Sequence, residues 1–200
     1  MTGEEMVSRM QAEGFDYLTT GQCIEFLNDA YLLDICDIQD WPFLEASTSG
    51  TAPLTISDLR SIESVSSTTQ EVKLRPMDRR NITDRSYNLE EAGTPRYYYL
   101  SGETQVKVFP VATDTISVRY YKNPTKLSTS STPLLPERFH SVIVDGAVAR
   151  AYENSDDFEL RQSKEATFQA RLARMEGVLL DVYRDGPSQF IQVTDPFALS

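Results

Sequence analysis

One stretch of the chain places the residue types of a nucleophilic hydrolase close together. The only histidine, His140, is followed directly by Ser141, and Asp145 comes five positions after it. A serine hydrolase needs these three side chains to converge from separate positions, beside donors that stabilise an oxyanion. Here all three lie on one predicted helix, where neighbouring side chains project about 100° apart, and no G-x-S-x-G motif occurs. The pattern therefore predicts a histidine at the rim of a helix start, not a catalytic residue.

The sequence also lacks the residues that a metal site or a cofactor site would require. One histidine and two separated cysteines cannot supply a zinc site on their own. Asp34, Asp37 and Asp40 lack the glycine and the final glutamate of an EF-hand loop, and their spacing is typical of the solvated side of a helix end. The sequence contains no phosphate-binding loop and no dinucleotide motif. We expect no catalytic residue, no metal and no cofactor.

Composition predicts a globular protein that does not grip nucleic acid. The chain of 200 residues is 40% hydrophobic and carries a net charge of -11, the opposite of a surface built from clustered lysine and arginine. Its first residues, MTGEEMVSRM, lack the basic and apolar regions of a signal peptide, and no apolar run approaches the roughly 18 residues of a membrane span. We expect no membrane partner and a reducing cytoplasm, with Cys23 and Cys36 reduced and buried.

Hydrophobic periodicity predicts helices first. Thr2 and Glu5 have the spacing of a capping box, and Gly14 is a plausible end to the helix that they start. A second helix is predicted from Thr20 to Trp41, which precedes a proline. Its apolar face is formed by Ile24, Leu27, Tyr31, Ile35 and Ile38.

Strands and then further helices follow. Alternating apolar residues predict half-buried strands at Leu54/Ile56, Val72/Leu74, Val106/Val108 and Ile116/Val118/Tyr120. Pro136 suits the start of a third helix. The last helix carries a seam at heptad-like spacing, which is suited to packing along another helix; the seam residues are Phe168, Leu172, Met175, Leu179 and Val182.

This order predicts the α+β class. Helices at both ends most simply pack into one bundle, from residues 1–44 and 134–185, with an antiparallel β-sheet or sandwich inserted at residues 45–133. Residues 186–200 have neither the period nor the length to fold alone and are predicted to form an extended tail. Among the tyrosines of the β region, Tyr97 and Tyr99 should face one side and Tyr98 the other. We expect them to be packing residues, with a binding surface as the alternative.

The second half of the chain resembles a known family. A strand hairpin, RYYYLSGETQVKVFPVATDTISVRYYKNPTKL, leads to a proline-started helix, LPERFHSVIVDGAVARAYEN, and then to a long charged helix, DDFELRQSKEATFQARLARMEGVLLDVYRDG. Together with an N-terminal helix that ends in Trp41-Pro42-Phe43, this order resembles the head-to-tail adaptor proteins of tailed bacteriophages, including the tubular adaptors of short-tailed phages. The resemblance covers nearly the whole chain and consists of loose patterns, and the β region is larger than in the minimal all-helical adaptors.

The resemblance implies a structural virion protein and not an enzyme. Such adaptors form a ring, commonly of twelve copies, that docks under the portal protein in the neck and continues the DNA channel. The ring presents a platform to the next neck or tail protein. Double-stranded DNA would pass through without specific binding, because an acidic wall repels its phosphates. We expect assembly in the host cytoplasm.

The resemblance also implies that the C-terminal tail reaches into the portal. Spaced apolar side chains in an unfolded tail are suited to ordering on a partner. The predicted portal-binding residues are Phe190, Ile191, Val193 and Phe197.

Three other functions are consistent with the residues. A neck stopper or tail-completion protein would act at another level of the same structure. A carbohydrate-binding module would use an aromatic β face and would need no ring partner. A hydrolase built on pairs of aspartate and glutamate would lose turnover on single carboxylate substitutions.

Overall fold

The structure is a computed structural model that describes residues 1–77, 91–154 and 158–184, with Asn154 and residues 181–184 described by their backbone alone. Helices, then strands, then helices follow one another along these ranges, which is the predicted order. Of the helices in these ranges, none is both long and apolar enough to cross a membrane.

Two short helices open the chain, and each begins with a capping box. α1, Gly3–Met10, begins where the Thr2 hydroxyl accepts a hydrogen bond from the Glu5 backbone N–H and the Glu5 carboxylate accepts one from the Thr2 N–H. α2, Thr20–Asp29, begins with the same arrangement, with Thr19 as its N-cap. These reciprocal bonds satisfy backbone donors that a helix start otherwise leaves unpaired. The predicted helix starts are therefore confirmed.

Both helices end in a wider, π-helical turn. The turn after α1 is Gln11–Phe15. It contains Gly14, whose φ of 103° is a conformation that glycine adopts without steric penalty. The turn after α2 is Ala30–Cys36. There the Trp41 indole N–H donates to the carbonyl of Ile35 at 2.5 Å.

The second helix is therefore shorter than predicted. Counted together with its π-helical turn, it ends at Cys36, five residues before the predicted end at Trp41. Ile38, which the periodicity placed on the buried face, is 53% exposed. The reason is that the chain has already left the helical path before Ile38, so the 3.6-residue period no longer applies there. A 3₁₀ turn, Pro42–Leu44, then leads into the sheet.

Seven strands form one sheet in the order β1-β7-β3-β4-β5-β6-β2. The strands are β1 Glu45–Thr51, β2 Leu54–Thr55, β3 Leu59–Ser67, β4 Val72–Pro76, β5 Tyr97–Ser101, β6 Gln105–Phe109 and β7 Thr115–Lys122. The paired strands are antiparallel, except that β4 and β5 are parallel. The prediction of an antiparallel sheet is wrong for this pair. Residues 77–96 connect the two strands, which is long enough for the crossover that a parallel pair requires.

The alternating residues predicted for β6 and β7 are buried, whereas in β4 only Leu74 is buried and Val72 is 49% exposed. In β7, Ile116, Val118 and Tyr120 point into the sheet core, and Val118 lies opposite Val65 of β3. β5 and β6 form the predicted hairpin, with Gly102 at φ 72° in its turn. β7 lies between β1 and β3 and pairs with both of them.

The C-terminal helices complete the fold. A 3₁₀ turn, Glu137–Phe139, leads into α3, His140–Ala151, and α4, Phe158–Arg184, follows the break. α3 contacts α1, α2 and α4. Its buried positions surround the helix and do not form a single stripe; they are His140, Val142, Ile143, Val144, Gly146, Ala147, Val148 and Ala149.

The buried side chains form two hydrophobic clusters. The first joins the N-terminal and C-terminal helices and includes Met6, Tyr31 and Ile143. The second lies within the sheet and includes Val65 and Val106. Helices together with a mixed sheet confirm the α+β class.

Candidate functional site

His140 secures the start of α3 from inside the protein. Its side chain is 1% exposed, so the prediction of a residue on the rim is wrong. Nε2 lies 2.7 Å from the Leu135 carbonyl oxygen, and Nδ1 lies 2.8 Å from the Met1 nitrogen. Nε2 therefore carries the proton and donates, and Nδ1 accepts. Burial lowers the pKa of the ring, which favours this neutral form.

The three residue types of a hydrolase do not converge. Both ring nitrogens of His140 are occupied, so neither can take a proton from Ser141. Asp145 faces α4, where its carboxylate accepts a hydrogen bond from the Arg171 guanidinium at 2.5 Å. Burial raises the pKa of the Asp145 carboxyl, and Arg171 opposes that shift. These residues hold α3 in place.

The acids that follow α2 are ion-paired, and Asp37 and Asp40 also face solvent as expected, with side chains 75% and 43% exposed. Asp34 accepts two hydrogen bonds from Arg150 of α3, at 2.5 and 2.6 Å. Asp37 and Asp40 pair with Arg60 of β3 at 3.7 and 3.4 Å. The sequence spacing is uninformative here because the basic partners come from distant positions.

Arg60 joins the helical part of the molecule to the sheet. Its guanidinium donates to the backbone carbonyls of Cys36 and of Asp37, the latter at 2.9 Å. These carbonyls lie at the end of the helix, where no intrahelical donor is available to them. A positive charge at this end also interacts favourably with the helix dipole. One strand residue therefore caps a helix about 24 positions earlier in the chain.

The described residues contain no group of three or more histidine, cysteine, aspartate and glutamate side chains that could hold a metal. Cys23 and Cys36 are both free and buried, which confirms the prediction of reduced, buried thiols. Burial raises the pKa of Cys36 to about 12, so this thiol is protonated and a poor ligand or nucleophile at neutral pH.

A concave site on the sheet includes one of the predicted tyrosines, Tyr99. A cavity of about 480 Å³ lies beside β6 and is lined by Ala52, Pro53, Tyr99, Lys107, Val108, Val111, Ala112 and Thr113. Its lining is mainly apolar, with Lys107 as the one charged residue. Tyr98 faces away and packs against the core of the sheet. The volume is in the range of small-ligand sites, and Tyr99 is the one aromatic side chain among the described lining residues that could stack on a ligand ring.

The predicted seam of α4 faces the helical cluster. Phe168, Leu172, Met175 and Leu179 are buried, in contact with residues of α3 and the earlier helices. Val182 lies on the same helix, and its side chain is outside the described part. The predicted portal-binding residues Phe190, Ile191, Val193 and Phe197 also lie outside the described residues.

Sequence reasoning missed the close approach at Gly146. Gly146 is the point where α3 meets Phe168 of α4 and Ala30 of the turn after α2. A glycine in the middle of an apolar helix, where alanine is favoured, was the available signal.

Comparison with known proteins gives the family. The family model for the SU10 adaptor protein matches residues 1–189, which include both sets of helices and the sheet between them. A comparison with curated proteins finds no match. The SU10 adaptors are phage head-to-tail adaptors, a structural and not an enzymatic family, so the resemblance inferred from the sequence is confirmed. The chain belongs to the SU10 adaptor protein family.

Proposed function

We propose that the protein is a head-to-tail adaptor of a tailed-phage virion that forms a ring, of twelve copies, under the portal. The observation that carries this proposal is the family match over residues 1–189. The ring lies in the neck, extends the DNA channel and offers a platform to the next neck or tail protein. It assembles in the host cytoplasm.

Within each subunit, the helices of residues 1–44 and 134–185 form one bundle, and residues 45–133 form an inserted β domain. The two separate hydrophobic clusters support this division. Arg60 supports a connection between the parts, because its side chain is only 19% exposed and donates to two backbone carbonyls at the helix end. The seam of α4, from Phe168 to Val182, holds the C-terminal helix in the bundle.

The charge of the chain supports passage of DNA without specific binding. Each subunit carries -11, so a ring concentrates negative charge around its channel. Screening limits this repulsion to about 8 Å at physiological salt, so it acts only where DNA comes close to the channel wall. A basic wall would instead hold the phosphates in a salt-dependent manner.

The C-terminal tail, residues 186–200, binds the portal. α4 has 27 residues and spans about 40 Å, and it passes the start of α3 near Val178, six residues before its own end at Arg184. Four apolar residues within eight positions, Phe190, Ile191, Val193 and Phe197, suit insertion into a pocket or addition to a sheet edge.

Electron microscopy of the protein with its cognate portal ring tests the proposal. The full-length chain is compared with a chain ending at residue 185 and with a chain in which the four tail residues are replaced by serine. We expect added ring density under the portal with the full-length chain and none with either variant. Density that survives both changes would retain the adaptor and refute the role of the tail. Binding to a downstream neck ring, and not to the portal, would indicate a stopper or tail-completion protein instead.

The cavity beside β6 favours carbohydrate binding as a second candidate. Tyr99 would stack on a sugar ring and Lys107 would bind its hydroxyl groups. A glycan array with the intact protein and with Tyr99→Ala distinguishes the two functions, since a ring adaptor needs no glycan affinity.

A further inference from the structure

The buried stripe of α4 divides the exposed surface of the helix into two sides. At 100° per residue, Arg171, Arg174 and Val178 project roughly 90° to one side of the stripe formed by Phe168, Leu172, Met175 and Leu179. Glu165, Gln169 and Glu176 project roughly 80° to the other side. The two sides therefore point in nearly opposite directions, and they carry charges of opposite sign.

The basic flank is a cleft between the start of α3 and α4. Among the residues that the structure describes, its lining contains no carboxylate and consists of Arg138, Arg171 and Arg174 with Ser141 and the apolar residues Phe139, Val142 and Val178. The Arg138 guanidinium lies over the Phe139 ring at 4.8 Å, and Arg171 is paired with Asp145. Arg174 forms no ion pair within the part of the chain that the structure describes. Arg171 is neutralised by Asp145, so Arg138 and Arg174 give this cleft its positive charge, on a chain of net charge -11.

The acidic flank is a groove between α4, the end of α3 and the turn after α2. Glu153, Glu165 and Glu176 line it, and its one cation, Arg150, is neutralised by Asp34. Two large apolar residues, Leu33 and Ile38, also line the groove, and they are 54% and 53% exposed. Carboxylates that surround exposed apolar side chains are typical of a polar rim around an interface core.

We propose that the basic flank of one subunit binds the acidic flank of the next. A flank of one subunit does not bind the same flank of another subunit, because like charges would meet. A two-fold dimer through either flank is therefore disfavoured. Opposite flanks that bind each other make a head-to-tail contact, and such contacts close into a ring when the rotation between copies permits it. Leu33 and Ile38 of one subunit enter the cleft beside Phe139 and Val178 of its neighbour. The inference rests on the proposed ring and identifies the surfaces that build it.

Charge reversal tests the pairing. Arg174→Glu and Glu176→Arg change exposed residues without an ion pair among the described ranges, so each variant should retain the thermal midpoint of the wild type. Each should reduce ring-bound protein on the cognate portal about tenfold or more, because like charges then meet across every contact. The chain that carries both substitutions restores opposite charges at each contact and should recover the ring. Lys73→Glu and Glu103→Arg, on the exposed sheet, are controls with the same changes in net charge and should assemble normally.

The possible outcomes distinguish an error in the assigned interface from an error in the proposed function. If the wild type forms a ring and both single variants form it equally well, the interface assignment is wrong and the adaptor function stands. If both single variants fail and the double variant also fails, the flanks do not face each other and the head-to-tail pairing is wrong. A wild-type chain that forms no ring on the portal refutes the proposed function itself.

Discussion

Gly146 of α3 and Phe168 of α4 are in direct contact. A Cβ atom on Gly146 would lie 2.9 Å from Cε2 of Phe168 and 3.0 Å from Cβ of Ala30. Both neighbours are buried, so neither can move aside into solvent. The absence of a side chain at position 146 therefore allows three parts of the helical cluster to meet at one point.

Gly146→Ala should destabilise the protein. Alanine gains about 1 kcal/mol over glycine in a helix interior, whereas overpacking of a buried contact costs about 1–3 kcal/mol. We expect a net loss of about 1 kcal/mol in the free energy of unfolding, measured by urea denaturation. Gly177→Ala in α4 is the matched control, because nothing lies within 4 Å of its Cβ position. It should raise the free energy of unfolding by up to about 1 kcal/mol, and equal effects at the two sites would contradict this account.

Arg60→Ala should lower the free energy of unfolding by about 2 kcal/mol. It removes charge-assisted hydrogen bonds to two carbonyls at a helix end and leaves Asp37 and Asp40 without their cation. Arg60→Lys should recover only part of this loss, because an ammonium group lacks the fork that reaches both carbonyls. Thermal or urea denaturation measures both variants.

The control for Arg60 is Arg119→Ala. Arg119 pairs with Glu45 and Glu63 across exposed strands, where solvent weakens ion pairs, so its removal should have a smaller effect. Equal losses in the free energy of unfolding for Arg60→Ala and Arg119→Ala would contradict the role assigned to Arg60.

The stability of the protein should fall as the pH drops below about 6.5, the unperturbed histidine value. Burial depresses the pKa of His140 in the folded state. The unfolded chain therefore binds the proton first, and the free energy of unfolding decreases from this pH down toward the folded pKa. The Met1 nitrogen opposes protonation, and Glu137, 3.5 Å from that nitrogen, favours it.

His140→Gln should flatten this pH dependence. Urea denaturation between about pH 7.5 and 5.5 compares the slope of the variant with that of the wild type. Asp145 acts in a lower window and with the opposite sign, because burial raises its pKa and the folded state then binds the proton first. An unchanged slope in the variant would assign the effect to groups other than His140.

Neither cysteine should react with an aromatic disulfide reagent in the native protein at pH 8. Cys23 and Cys36 are fully buried, and the pKa of Cys36 is raised to about 12, so thiolate is scarce and inaccessible. Both thiols should react at once in denaturant. Rapid reaction of one thiol in the native state would show that the end of the second helix opens readily.

The sequence predicted those elements whose signals are local. The capping box at Thr2 and the alternation of Ile116, Val118 and Tyr120 depend on neighbours within a few residues, and both are confirmed. Strands β1 and β3 were missed, because EASTSGT and LRSIESVSS are small and polar and take their structure from pairing with β7. Their strand character comes from a partner that is distant in the sequence.

The candidate site was predicted less completely, for the same reason. Arg60, Arg150 and Arg171 each pair with residues on other elements, at separations between 20 positions (Arg60 and Asp40) and 116 positions (Arg150 and Asp34). Such pairs have no local pattern, so the basic partners of Asp34, Asp37 and Asp40 were not predicted, although Asp37 and Asp40 do face solvent as expected. His140 was placed at a helix start correctly, but its burial depends on the N-terminal residues that pack over it.

The position of β7 between β1 and β3 has a consequence for synthesis on the ribosome. β1 and β3 are not paired with each other, so neither can complete its hydrogen bonds until residue 122 has left the exit tunnel. The helical cluster also forms late, because α3 is at its centre and ends at residue 151. Because such long-range pairing slows folding, we expect the nascent first half to remain unfolded until most of the chain is made. Subunits would then become competent for the ring only after release.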